Sequence, residues 1–201
     1  MRAFKVFLPM LAVGLLAGLL WSEFMRMPGL ALGFKAPLSV LFVLTAWAQP
    51  RPRPRYAAFI LTGLVCGLVG DVCLALPGQL VFTIGLAAFL VGHVLYIAAF
   101  ALIARGKDWL YGWNLLIVAV TAGIYWWLLP HLDDMLVPVS AYVLVITVMV
   151  AGAWAAVRNP AVPRGGAWLI LCGAVIFYAS DAFVANQRFV IDHYINRFAG
   201  L

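Results

Sequence analysis

The chain has 201 residues, of which 66% are hydrophobic and 10% charged, and its formal net charge is +6. A soluble domain is about 45–50% apolar and about a quarter charged, so the composition excludes a water-soluble globular protein and makes the bilayer the solvent throughout. The basic excess lies in short turns between apolar runs and forms no basic face interleaved with aromatics, which excludes nucleic acid as a partner.

A membrane-spanning helix needs about 20 mostly apolar residues. Seven runs meet this: 4–21, 31–48, 56–75, 80–104, 109–129, 136–157 and 167–185. They are too long and too uniform for barrel strands. They predict an all-α fold, a polytopic transmembrane bundle of seven to eight helices, with residues 1–201 forming a single transmembrane domain. The stretch 6–21 of the first run, after Arg2 and Lys5, could pass for a signal peptide. Trp21-Ser22-Glu23 is a poor cleavage site, however, so the run reads as the first helix.

Met27-Pro28-Gly29 breaks the chain before the second helix, whose start carries Lys35 in Phe34-Lys35-Ala36-Pro37-Leu38. Glu23 and Lys35 flank this outer loop as an interfacial pair. Lys35 is equally able to meet a lipid phosphate or Asp71. The Arg-Pro run at 51–55 reads as a cytoplasmic turn that attracts anionic lipid.

The third helix carries Asp71, in Gly70-Asp71-Val72-Cys73-Leu74-Ala75, about four residues from its end. An ionisable residue inside a span costs about 2.5–3.5 kcal/mol on insertion scales, so it calls for a partner, a wet cavity or a function. In the fourth helix His93 and Tyr96 are three residues apart and share a face. Gly85 and Gly92 lie on a nearby stripe that admits a close neighbour. His131, Asp133 and Asp134 form a wet outer loop to which no role is assigned. The seventh helix carries Asp181, in Ser180-Asp181-Ala182-Phe183-Val184-Ala185, also about four residues from its end. Both segments read small residue, Asp, three residues, Ala, which suggests a duplicated four-helix unit. If the two helices run in the same direction, both carboxylates reach one depth.

Cys66, Cys73 and Cys172 lie in apolar runs, read as small buried apolar residues, and form no disulfide framework or zinc knuckle. Trp21, Trp109, Trp113, Trp126 and Trp127 sit near span ends as an aromatic belt. Nine Lys and Arg fall on one side of the membrane and four on the other. The positive-inside rule then places the N-terminus in the cytoplasm of a multi-pass cell-membrane protein. Every acid except Asp108 falls at the non-cytoplasmic end. No P-loop, dinucleotide fingerprint, HExxH or GxSxG is present. The chemistry-bearing set is therefore Asp71, Asp181, His93, Lys35 and Tyr96, converging on an outward-facing cavity. These residues alone leave an enzyme and a proton-coupled or lipid carrier level. A metal hydrolase with Asp71, Asp181 and His93 as ligands is a further option, sparse in histidine unless His193 joins.

The pattern Gly70-Asp71, Phe82, Gly85, Phe89, His93 and Tyr96, with Phe177-Tyr178-Ala179-Ser180-Asp181 and Arg188-Phe189, resembles the YhhN family of lysoplasmalogenase-like membrane proteins. Lys35 with Pro37 resembles that family's Lys-Pro start of the second helix, although Ala36 intervenes here. The resemblance covers nearly the whole chain, to residue 189. It implies a hydrolase that cleaves the vinyl-ether bond of lysoplasmalogens to a fatty aldehyde and glycerophosphoethanolamine or glycerophosphocholine, with no cofactor and no metal. It implies Asp71 and Asp181 as the catalytic residues, and a lysophospholipid and membrane lipid as partners. Lys35, His93, Tyr96, Ser180 and Glu23 are the expected substrate-binding residues. It also implies eight spans, whereas 190–201, with Asp192, His193 and Arg197, is too short for an eighth.

Vinyl-ether cleavage calls for one protonated carboxyl and one carboxylate. Two acids in a poorly solvated pocket divide in that way, as in glycosidases that pass through an oxocarbenium-like state.

Overall fold

Seven long helices form from the seven apolar runs in the structure, a computed structural model that describes residues 2–104, 106–109, 112–191 and 200. They are α1 (Arg2–Phe24), α2 (Pro28–Trp47), α3 (Pro54–Leu74), α4 (Gln79–Ile103), α6 (Trp113–Leu128), α7 (Leu136–Arg158) and α8 (Arg164–Phe189). A four-residue helix, α5 (Gly106–Trp109), precedes α6, which covers 113–128 of the expected fifth span of 109–129. No strand occurs among the described residues. Six of these helices are long and apolar enough to cross a membrane, and the described apolar stretch of α1, Met10–Phe24, is shorter. The chain is a multi-pass helical membrane protein. Arg105, Asp192, His193 and Arg197 lie outside the described residues.

Local chemistry sets the helix ends. Pro28 and Pro54 each open a helix, where a missing N–H costs nothing. Helix α1 closes in a Schellman motif. The Met27 N–H donates to the Ser22 carbonyl at 2.9 Å, and the Arg26 N–H to that of Glu23 at 3.1 Å. Arg26 occupies the left-handed position, φ 55°, that glycine usually fills. Asn159, buried after α7, accepts from the Ala161 N–H at 3.0 Å and donates from Nδ2 to the Ile103 carbonyl.

Two helix ends differ from the sequence expectation, and both differences move site residues. Helix α2 begins at Pro28 rather than 31, so Lys35 lies two turns inside it and not at its start. Helix α8 continues to Phe189, four residues past the expected end. At 1.5 Å per residue, Asp71 is about 4.5 Å from the end of α3 and Asp181 about 12 Å from the end of α8. The expectation that each lies four residues from its helix end therefore holds approximately for Asp71 and fails for Asp181.

The chain divides into two compact units. The first comprises Met1–Pro52 and Leu61–Gly92. Within it α1 packs on α2, with Gly18 against the Phe34 ring. Helices α3 and α4 meet through glycine. A Cβ on Gly92 would stand 3.1 Å from the Gly63 carbonyl oxygen, and one on Gly85 would stand 3.3 Å from that of Gly70. Each pair recurs seven residues on, the spacing of one helix face, as expected of small residues where helix attraction depends on backbone approach. The Gly85–Gly92 stripe read from the sequence is thus the α3 contact.

The second unit comprises Arg53–Ile60 and His93–Leu201. Its most buried helix is α7, with Val139, Tyr142, Ile146, Met149, Val150 and Ala153 inside. Helices α6 and α8 both pack on it. Val137 and Leu144 of α7, like Leu169 and Ile176 of α8, point outward. That outward display of large apolar side chains suits a lipid surround, where burying them between helices gains little.

Candidate functional site

Asp71 is held in the first unit by two residues of α2. The Lys35 Nζ lies 3.3 Å from Asp71 Oδ1. The Ser39 hydroxyl donates to Asp71 Oδ2 at 2.5 Å. Lys35 and Ser39 are four residues apart and so share a face of α2. Pro37 sits between them and lacks the N–H that would donate to the Gly33 carbonyl. Gly70, the residue before Asp71, has the Phe89 ring where a Cβ would go. The glycine contacts of α3 and α4 therefore fix the stretch of α3 that presents Asp71. With about a fifth of each side chain exposed, the ion pair is mostly desolvated and more strongly coupled than a surface pair.

Asp181 is held in the second unit by α7. The Tyr142 hydroxyl donates to Asp181 Oδ2. Tyr142 is itself buried, and its ring meets the edge of His93 at a centroid distance of 5.4 Å. His93 is 1% exposed. It also makes edge contacts with Phe177 at 5.1 Å and Tyr96 at 6.2 Å. Phe177 and Asp181 are four residues apart on α8, so one face of that helix carries both. One turn before Asp181, the Tyr178 hydroxyl lies 3.0 Å from the Thr121 hydroxyl of α6, and Thr121 lies 3.2 Å from Thr147 of α7.

The sequence candidates thus fall into two polar clusters. Lys35 joins Asp71, as one of its three sequence readings had it, and not Glu23. His93 and Tyr96 share a face as expected, and belong with Asp181 through Tyr142. The side chains of Glu23 and Ser180 make no hydrogen bond or ion pair among the described residues. The sequence reading missed Ser39 and Tyr142. Ser39 carried a usable signal, a hydroxyl one turn from Lys35 on an apolar helix. Tyr142 carried none, since a tyrosine in an apolar helix is ordinary membrane composition. Cys172, expected inside, is exposed on α8. Among the described residues no three His, Cys, Asp or Glu gather as a metal would require. The metal-hydrolase reading therefore gains no support, and His193 lies outside the described residues.

Comparison with known proteins gives a consistent family signal. The YhhN family model matches residues 30–201. A lysoplasmalogenase of Mycobacterium tuberculosis is 33% identical over 197 residues, covering 95% of this chain and 71% of that protein. Lysoplasmalogenase TMEM86B of Rattus norvegicus is 35% identical over 151 residues, covering 74% of this chain and 57% of the relative. The Homo sapiens TMEM86B is 36% identical over 140 residues, 69% of this chain and 54% of that protein. The chain therefore spans little more than half the length of these mammalian relatives. No solved structure matches.

Proposed function

The chain belongs to the YhhN family, and on that premise we propose that it is a membrane hydrolase cleaving the vinyl-ether bond of lysoplasmalogens. The observation that carries the reading is that the two intramembrane carboxylates, Asp71 and Asp181, are each the centre of a polar cluster inside otherwise apolar helices. Groups so costly to insert are kept where they act.

In the proposed reaction a carboxylic acid delivers its proton to the β-carbon of the vinyl ether. The resulting oxocarbenium ion is stabilised by a carboxylate. Water adds to the α-carbon and gives up a proton to that carboxylate. The hemiacetal then collapses, its C–O bond to glycerol breaking, to release the glycerophospho-alcohol and a fatty aldehyde. One water is consumed and no oxidant or reductant is needed. Asp71 and Asp181 divide these roles. Lys35 keeps Asp71 oriented. An ammonium has three N–H donors, so pairing with Asp71 leaves it able to meet the substrate phosphate as well. His93 and Tyr96 order water or the glycerol hydroxyl, with Ser180 and Glu23 as outer contacts to the headgroup. The excess of Lys and Arg on one side supports a cytoplasmic N-terminus, with the site toward the non-cytoplasmic face of the cell membrane.

The test is aldehyde release by the purified protein in nanodiscs from an alkenyl lysophospholipid, with the saturated alkyl-ether analogue as control. Turnover of the first and not the second is expected. Equal inertness toward both, in protein shown to be folded, would end this reading.

A further inference from the structure

The turn of α8 that carries Asp181 is held by two bonds, one of them made by Tyr142. The Tyr178 hydroxyl is tied to Thr121 of α6 at 3.0 Å. Asp181, on the next turn of the same face, accepts the Tyr142 hydroxyl of α7. The two anchored residues are three apart, so together they fix the rotation of the turn that presents the Asp181 carboxyl. The phenol itself has little freedom, because its residue is buried and its ring is braced edge-on by His93 at 5.4 Å. A proton-transfer group gains from such bracing, since misplacement of about 1 Å can cost about a hundredfold in rate.

We infer that Tyr142 is a positioning residue for the hydrolysis, its hydroxyl fixing the orientation of the Asp181 carboxyl through the bond to Oδ2. The inference rests on the proposed lysoplasmalogenase reading. It acts through Asp181 and asks nothing of the phenol as an acid or base.

The experiment compares Tyr142→Phe, Asp181→Asn and the double variant in nanodiscs, with kcat, KM and the pH profile of kcat measured for each. Tyr142→Phe keeps the ring and its contact with His93. Its kcat is expected to fall about tenfold to a hundredfold, the range for losing a hydrogen bond to a charged group. KM stays within about twofold and the limb of the pH profile assigned to Asp181 moves. In the Asp181→Asn background the same change produces no further loss, as expected of residues that act as one unit. Asp181→Glu, which leaves Tyr142 in place but displaces the carboxyl, gives a comparable loss and keeps the test open if Tyr142→Phe does not fold. A Tyr142→Phe enzyme with wild-type kcat and pH profile, beside an inactive Asp181→Asn, overturns the role of Tyr142 and leaves the catalytic reading standing. A loss that adds to that of Asp181→Asn likewise assigns Tyr142 a merely structural part. A wild-type protein that releases no aldehyde overturns the hydrolase reading and this inference together, whereas a fully active Asp181→Asn overturns the roles of Asp181 and Tyr142 and leaves the hydrolase reading standing.

Discussion

The two aspartates occupy similar sequence settings and dissimilar physical ones. Asp71 is bound by charge, to an ammonium at 3.3 Å, and by the Ser39 hydroxyl from the same helix face. Asp181 is bound by the Tyr142 phenol within a set of aromatic edges around His93. A shared motif of small residue, Asp, three residues, Ala therefore says little about what each carboxyl does. Partners recruited from other helices make the difference, an ammonium and a hydroxyl in one case and a phenol beside an aromatic-lined histidine in the other.

The largest test of this contrast is to remove each acid. Asp71→Asn and Asp181→Asn should each lower the rate of aldehyde release by about a hundredfold to ten-thousandfold, the range for positioned general acids and bases. Full activity in either variant breaks the proposal that both carboxylates serve the reaction. Lys35→Met comes next. It strands a mostly buried carboxylate without its counter-charge, and loss of one member of a buried pair costs about 3–5 kcal/mol. A figure near 1–3 kcal/mol in thermal or denaturant stability is expected here, because about a fifth of each side chain is exposed. The Asp71→Asn background should erase most of that cost, and an undiminished cost there would argue that Lys35 serves something other than Asp71.

Ser39→Ala removes one hydrogen bond to the same carboxylate, for an expected loss of about 1.5–3 kcal/mol in transition-state stabilisation, read as kcat/KM. Wild-type kcat/KM would show that the ammonium alone orients Asp71. Gly85→Ala tests the backbone support of that cluster. Its new Cβ meets Cys73 Cβ at 3.0 Å and the Gly70 carbonyl oxygen at 3.3 Å. Overpacking of this kind costs about 1–3 kcal/mol, seen as a lower midpoint of thermal unfolding in detergent, and unchanged stability would mean that α3 and α4 part freely. Thr121→Val should be the mildest, about 1 kcal/mol or less for a neutral hydrogen bond to Tyr178. A loss as large as that of Ser39→Ala would narrow the contrast between charged and neutral anchoring.

Much of the fold was legible because insertion into lipid is decided one segment at a time. Each run such as 80–104 satisfies its own backbone hydrogen bonds and needs no partner to be a helix. Helix ends were read less well. Pro28 opens α2 a turn earlier than the apolar run, and the polar Asn186-Gln187-Arg188 stretch continues α8 beyond it. Apolar content marks what can lie in hydrocarbon and is blind to a helix that goes on past it.

The sequence by itself determined the membrane class, the seven long helices, the glycine stripe of α4 and the two intramembrane acids, because each follows from composition or from spacing along one helix. Tertiary structure alone decided who holds those acids. Ser39 meets Asp71 across 32 positions of sequence and Tyr142 meets Asp181 across 39. Such pairings depend on how far neighbouring helices approach and how they are rotated. Close contacts such as Gly85 on Gly70 and Tyr178 on Thr121 set that approach and rotation, and the order of residues along any one helix does not.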